Sequence, residues 1–295
     1  SFGCRDGAEW TEFGQSFFDL GLRGEPDPRK AFPLAAEDVA RKEAADGMMP
    51  SLPQMVEGAE IGPVLDRLLA GQSTIDISAG RTEDGTELRE LTVNAQRISL
   101  TGNGHLTGDN VDLTANFNMP TLADLDPAFE GALTAQAHLT GAPGTRRVAL
   151  NGQAMGLKTG IAALDGAFSG QSDLTATVQE QDGGTFNLTG LQLKNPQLAL
   201  TGGGSFAGGD VDGQFDLDFS DLGALGKNFG GLLKATAQIQ TEGETRNITV
   251  TGTGTDLSVG QAQADNALRG ATTLTVNAQQ KGDLLNITEA RAENR

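Results

Sequence analysis

The side chains that most often do chemistry in enzymes are few and scattered in this sequence of 295 residues. His105 and His138 are the only histidines. The sequence around each of them recurs one hundred positions later, but neither histidine does. Asp216 and Asp218 could form a carboxylate pair for acid–base catalysis. Alternate carboxylates on a strand more simply indicate a face in contact with water. The sequence therefore predicts no enzyme active site.

Metal and phosphate sites are not predicted either. Cys4 is the only cysteine, so neither an intrachain disulfide nor a cysteine-rich zinc site can form. The Gly202–Gly204 run lacks the Lys-Ser/Thr pair and the long helix that follow a phosphate-binding loop. Gly208-Gly209-Asp210 resembles one copy of a calcium-binding nonapeptide, a motif that needs tandem copies. We expect no cofactor.

The charge of the chain restricts its partners. Thirty-nine acidic and twenty-one basic residues give a formal net charge of −18, spread along the chain. Nucleic acids and anionic membrane surfaces are therefore poor partners. The sequence begins at Ser1 with neither a signal peptide nor an apolar run of 18 residues, and we interpret it as part of a longer protein.

Alternation of apolar and polar residues predicts the secondary structure over most of the chain. A period of two puts apolar side chains on one face of a strand and polar side chains on the other. Turns rich in glycine separate these stretches, as at Gly102-Asn103-Gly104. The sequence predicts a mostly β protein built as an antiparallel meander.

A segment of about 60 residues aligns with itself, without a gap, when it is shifted by one hundred positions. Leu100-Thr101-Gly102-Asn103-Gly104 returns as Leu200-Thr201-Gly202-Gly203-Gly204. We predict an irregular or partly helical lead-in at residues 1–60, β repeat units at 61–160 and 161–260, and the start of a third unit at 261–295.

One element in each unit has helical spacing. Leu122, Leu125 and Phe129, and their counterparts one hundred positions later, recur at i, i+3 and i+7. Pro127 limits the first copy to a short helical turn. Residues 35–46 in the lead-in are also predicted to be helical.

A sheet with one apolar face must cover that face with a second sheet, with helices or with a ligand. The predicted helices are too few for this. The residues alone leave two alternatives open, a closed sandwich and an open groove, and alternation of this kind belongs to closed cores in most proteins.

The succession of Leu-Thr-Gly-x-Gly, a short Asp-Leu-x-x-Leu segment and an alanine-rich alternating strand resembles the mid-region of the TamB-type AsmA-like bridge proteins of Gram-negative bacteria. The resemblance covers residues 61–295. It implies an elongated antiparallel sheet curled into a groove, a β-taco, that carries phospholipid acyl chains. The groove would be lined by Leu113, Ala115, Phe117, Met119, Leu133, Ala135, Ala137, Leu139, Phe215, Leu217, Phe219, Leu233, Ala235, Ala237 and Ile239.

The resemblance further implies a place in the periplasm, in a protein anchored in the inner membrane, and a role in outer-membrane biogenesis and protein secretion. It implies a TamA-like outer-membrane barrel protein as a partner, contacted through regions that this sequence lacks. The alternative is an extracellular repetitive adhesin or stalk, in which the same strands form closed domains and the loops bind.

Overall fold

The structure, a computed structural model, describes residues 11–25, 27–49, 51–55, 61–158, 160, 165–282 and 284–294. Cys4 and Trp10 lie outside these residues. The chain forms two compact units, Ser1–Pro127 and Ala128–Arg295.

Helices make up the first part of the first unit. They are α1 (Glu12–Gln15), a π-helical segment (Ser16–Gly21), α2 (Leu22–Gly24), α3 (Pro28–Ala45) and α4 (Ile61–Leu68). Helix α3 begins where its sequence signals a start, because Asp27 accepts the Arg29 amide N–H at 3.0 Å and Pro28 occupies the first helical position. The predicted helix at residues 35–46 is confirmed up to Ala45, where α3 ends.

A buried polar contact joins the π-helical segment to α3. The Ser16 hydroxyl donates to Asp38 Oδ2 at 2.7 Å, and Lys42 Nζ lies 2.9 Å from the same oxygen. Hydrogen bonds from Lys42 and then from Ser16 hold the pKa of Asp38 below its ordinary value of 3.8. Because the folded-state pKa is lowered, this contact stabilises the helices at neutral pH and the stabilisation is lost as pH falls through that pKa.

We therefore expect Asp38→Asn to lower the stability of the helices at pH 7 and to flatten its decline below pH 3.8. Thermal unfolding followed by circular dichroism at several pH values measures both effects. Glu37→Gln, an exposed position on the same helix, is the control and should leave the profile unchanged. If the two variants showed the same dependence of stability on pH, Asp38 would not be the group whose ionisation stabilises the helices.

The strands of the first unit pair antiparallel in the order of the chain. They are β1 (Ser73–Arg81), β2 (Thr86–Ala95), β3 (Ser99–Thr107) and β4 (Asn110–Met119), followed by a 3-10 turn at Leu122–Asp124.

The second unit contains ten strands, again antiparallel and in chain order. They are β5 (Glu130–Gly141), β6 (Arg147–Lys158), β7 (Gln171–Gln181), β8 (Thr185–Lys194), β9 (Leu198–Ala207), β10 (Asp210–Phe219), β11 (Gly230–Glu242), β12 (Thr245–Ser258), β13 (Ala271–Lys281) and β14 (Leu284–Asn294). The described helical segments of this unit are 3-10 turns at Gly166–Phe168, Asp182–Gly184 and Leu222–Leu225, and helix α5 at Ala262–Ala267. The mostly β antiparallel prediction is confirmed.

Strand pairing in the two units matches at a separation of one hundred residues. In the first unit Leu88 lies opposite Gly104, and the register shifts before Leu91 lies opposite Gly102. In the second unit the same shift separates the pairs Leu188–Gly204 and Leu191–Gly202. A β-bulge therefore stands at the same position of the β2–β3 and β8–β9 pairings.

The second glycine of each Leu-Thr-Gly-x-Gly motif lies against the backbone of the next strand. A Cβ atom at Gly104 would stand 2.0 Å from the carbonyl oxygen of Asp112, and one at Gly204 would stand 2.4 Å from that of Asp212. These distances are far inside van der Waals contact, and backbone atoms cannot move aside without breaking the ladder. Close packing of the two strands explains why glycine occupies this position of the motif.

Gly204→Ala should therefore destabilise the second unit by about 1–3 kcal/mol, the usual cost of overpacking. Ser205→Ala changes the next residue on the same strand and should be close to neutral. Chemical denaturation, with hydrogen exchange of the β9 and β10 amides as a local probe, measures both variants. An equal loss of stability in the two variants would show that Gly204 does not pack closely against β10.

A packed core lies where the strands of the second unit meet the 3-10 turns. Its residues come from strand ends and from the connecting segments: Ala167, Phe168, Leu193, Leu198, Phe219, Leu222 and Leu257. The helical turns at Leu122 and Leu222 appear as predicted, but they are shorter than the i, i+7 spacing suggests. The turns end at Asp124 and Leu225, so Phe129 and Phe229 lie beyond them, each 40% exposed.

Candidate functional site

Cross-strand pairing brings apolar side chains together on one face of each unit, called here the apolar face. Directly opposite residues on neighbouring antiparallel strands point to the same side of a sheet. In the first unit this rule gives a row across four strands. The row consists of Ile75, Val93, Leu100 and Phe117.

The second unit has longer rows of the same kind. One runs across five strands, from β10 to β14, through Phe215, Ala237, Val250, Val276 and Ala290. The adjacent row runs through Leu217, Ala235, Gly252, Leu274 and Ala292.

The predicted groove residues all fall on the apolar face of their own unit. Those on β4 belong to the first unit, and those on β5, β10 and β11 belong to the second. On β10 and β11, three predicted residues of one strand lie opposite three of the other. These pairs are Phe215 with Ala237, Leu217 with Ala235, and Phe219 with Leu233.

Burial divides the predicted residues into two groups. Met119, Ala135 and Phe219 are buried. The other twelve are half-buried, on strands whose neighbours in the hydrogen-bonding direction are present. The strands of the second unit pair edge to edge in a single order, and its described helical segments are short and lie in the connections. Two of the twelve, Leu217 and Leu233, pack against the core of the second unit. The other ten remain partly accessible to solvent.

The opposite face of the second unit is polar. Lys234 Nζ lies 2.9 Å from Asp218 Oδ2, and the Thr236 hydroxyl donates to Asp216 at 2.6 Å. Threonines continue this face along β12 and β13. A concavity of about 680 Å³ in this region is lined mainly by threonine and charged residues of the polar face. Leu217, Ala235 and Leu274, which the pairing assigns to the apolar face, also border it. The two faces therefore differ sharply in chemistry.

Sequence reasoning missed part of the apolar face. It did not include residues of β6, β8, β9 and β12 that the pairing aligns with the predicted ones. Among them are Val148, Leu150, Leu188, Leu200, Phe206, Ile248 and Val250. Their alternation is interrupted by glycines that lie on the same face, such as Gly152 and Gly202, and by the bulges. Counting glycine as a member of the apolar face would have found most of them.

Within the described residues, the histidines and possible metal ligands considered in the sequence do not come together into a site. His105 and His138 are both exposed. Within the described ranges, no three histidine, cysteine or acidic residues stand together as metal ligands. None of the described helices combines the length and the apolar character needed to cross a membrane.

Comparison with known proteins adds no family or fold assignment. No family model, no curated protein and no solved structure matches this chain.

An uncovered face and a packed core respond differently to charge. Ile239 is half-buried on the apolar face, whereas Leu198 is 3% exposed in the core. We expect Ile239→Asp to cost about 1–2 kcal/mol of unfolding free energy and Leu198→Asp to cost more than about 4 kcal/mol, since only the second charge is buried unpaired.

Chemical denaturation of the two variants measures this difference, and Gln240→Asp, on the polar face beside Ile239, is the control. Similar large losses for Ile239→Asp and Leu198→Asp would show that protein seals the apolar face.

Proposed function

We propose that this chain is a periplasmic bridge segment that carries phospholipid between the inner and outer membranes, with the acyl chains lying against the apolar face. The observation that carries the proposal is the half-buried state of twelve predicted groove residues, on strands that pair with their neighbours in chain order. The resemblance of residues 61–295 to the bridge proteins supports the same function.

The size of the apolar face suits a lipid chain. Ten strands spaced about 4.8 Å apart make the face of the second unit about 43 Å wide in the hydrogen-bonding direction. One leaflet of a bilayer core is about 15 Å thick, which is the depth an acyl chain fills there. The face can therefore contact a whole chain, and each methylene removed from water contributes about 0.8 kcal/mol.

The face offers few features that would hold a lipid at one point. Its rows consist of Leu, Val, Ile, Ala, Phe and Gly, without a polar or charged side chain in the two rows from β10 to β14 described above. Contacts of this kind are non-directional and scale with area. A lipid chain that shifts by one strand along a row exchanges one apolar contact for another, so its binding energy changes little. Such a surface favours movement along the sheet over fixed binding.

The hundred-residue repeat belongs to the same proposal. The matching register of β2–β3 and β8–β9 and the matching glycine contacts at Gly104 and Gly204 support it. A repeat that keeps strand number and register keeps the apolar side chains on the same side of the sheet. Units of this kind would extend one apolar path, curled into a groove, by addition of further copies.

Inner-membrane anchoring and contact with a TamA-like barrel protein are proposed from the resemblance. They would place the two ends of the apolar path at two membranes. Outer-membrane biogenesis would then depend on the lipid that the path delivers.

Photo-crosslinking in cells tests lipid contact directly. A photoreactive residue at Phe117 or Ala237, both on the apolar face, should yield phospholipid adducts detectable by mass spectrometry. Probes at Asn116 and Asp216 are the controls. Both residues lie on the polar face, and probes there should yield far fewer adducts. Adducts from the polar face alone would contradict the proposal. A lipid-free interior combined with labelling of the chain on the surface of intact cells would instead support the adhesin function.

A further inference from the structure

In the second unit, the two segments that flank strands β7 to β10 meet at one end of these strands. The 3-10 turn at Gly166–Phe168 precedes β7, and the 3-10 turn at Leu222–Leu225 follows β10. Two strands lie between β7 and β10, so these strands are about 14 Å apart at a spacing of about 4.8 Å. The two turns nevertheless touch, because a Cβ atom at Gly166 would stand 2.1 Å from the carbonyl oxygen of Ala224.

The connection between β8 and β9 is joined to both of these turns. Asn195 Nδ2 donates to the Ala167 carbonyl of the first turn at 2.7 Å. The hydroxyl of Ser220, which lies just before the second turn, donates to the Pro196 carbonyl at 2.8 Å. Apolar side chains of the two turns pack in one core with Leu198 and Phe219 of the apolar face. This end of the strands is called here the closed end.

The first unit closes the corresponding end of its strands with different residues. Helix α4 precedes β1, the 3-10 turn at Leu122–Asp124 follows β4, and the helix contacts the turn. Arg67 Nε of the helix donates to the Asp124 carbonyl at 2.9 Å. Arg97, between β2 and β3, forms an ion pair with the Asp124 carboxylate. Neither arginine recurs one hundred positions later, so each unit closes this end with its own side chains.

Burial of the apolar face in the second unit changes along the strands. On β8 the exposed fraction is 8% for Leu193, at the closed end, and 45% for Phe186, at the other end. On β6 the corresponding values are 3% for Ala154 and 36% for Val148. Both strands pair with a neighbour on each side, so a missing strand does not cause the difference. The apolar face is therefore packed at the closed end and accessible at the other.

The accessible end of the strands is polar, and it is called here the hairpin end. The connections there, from β5 to β12, are turns of two to five residues. The Arg246 side chain donates to the Gly209 carbonyl at 2.8 Å, beside a concavity of about 240 Å³ that Asp210 and Glu244 also line. A guanidinium and carboxylates can contact the phosphate and the ammonium group of a zwitterionic headgroup. The core at the closed end consists of Ala, Phe and Leu alone.

The distance between the two ends suits an acyl chain that lies along a strand. Leu217 of β10 packs against the core, and Val211 lies at the hairpin end of the same strand. The six residue steps between them span about 20 Å. An acyl chain fills a depth of about 15 Å in one bilayer leaflet. A chain that ends at the core therefore brings its headgroup to the hairpin end.

We propose that a bound phospholipid lies along the strands in one direction, with the ends of its acyl chains toward the closed end and its headgroup at the hairpin end. This direction rests on the proposed lipid-carrying function and refines it. Apolar contacts along the face are non-directional and would accept either direction. The two ends differ, because a charged headgroup loses its hydration against an apolar core and keeps it among the exposed polar turns.

Methyl NMR of the full chain with spin-labelled phosphatidylcholine tests the direction. A nitroxide at the end of an acyl chain should broaden the methyl signals of Leu200 and Leu217, near the closed end, more than those of Val148 and Val211. A nitroxide on the headgroup should reverse that order. Thr251, on the polar face, is the control and should change least with either label.

The possible results separate the direction from the lipid-carrying function. Equal broadening at the two ends by both labels, or the opposite order, would overturn the direction and leave lipid binding in place. If neither label broadens the methyl signals of the apolar face, the lipid-carrying function fails and the direction fails with it.

Two variants of β8 test the direction without a spin label. Leu191→Asp puts a carboxylate beside the acyl chains and should weaken binding of short-chain phosphatidylcholine by about tenfold or more, the effect of a charge buried without a partner. Phe186→Asp puts the carboxylate at the hairpin end and should weaken binding less, although phenylalanine is the larger apolar side chain. Circular dichroism checks that both variants fold, and the spin-label experiment on the unchanged chain decides if either does not. A greater loss for Phe186→Asp would contradict the direction.

Discussion

The structure depends on one constraint: the apolar side of a sheet must leave water, and the described helical segments of the second unit are too short to cover ten strands. In the second unit ten strands share that side, and part of it packs into a core around the 3-10 turns. Leu174, Leu200, Leu217, Leu233 and Leu274 of the strands pack against that core. Elsewhere its leucines, valines and phenylalanines stay half-buried. Hydrophobic surface of this extent on a folded protein usually marks a binding site.

Glycine is what allows the sheet to keep its register beside this face. At Gly104 and Gly204 the neighbouring backbone approaches so closely that a side chain would collide with a carbonyl oxygen. The close approach and the bulge beside it determine which residues lie opposite each other. The same feature recurs in both units, and it ties the sequence motif to the direction in which the apolar residues point. A single slip in register would turn them toward the polar side.

Much of this could be predicted from the sequence. Alternation at Leu113, Ala115 and Phe117 correctly predicted a strand with one apolar face, since that period has few other physical explanations. The alternation could not show whether another layer covers the face, because a closed core and an open face have the same pattern. Phe129 was grouped with Leu122 by spacing alone, although Pro127 lies between the turn and the ring. The role of Asn195 was not predicted, since its contacts depend on three separate segments.

The central claim is that the apolar face is open and accepts acyl chains, and methyl NMR on the full chain tests it most directly. Ile239, Ile248 and Val250 have methyl groups on the apolar face, and Thr249 and Thr251 have theirs on the polar face of the same strand pair. With a short-chain phospholipid added, we expect intermolecular contacts from the acyl protons to the first three methyl-bearing residues and not to the threonines. Contacts from those three residues to other parts of the protein that cover them, with none to lipid, would contradict the claim.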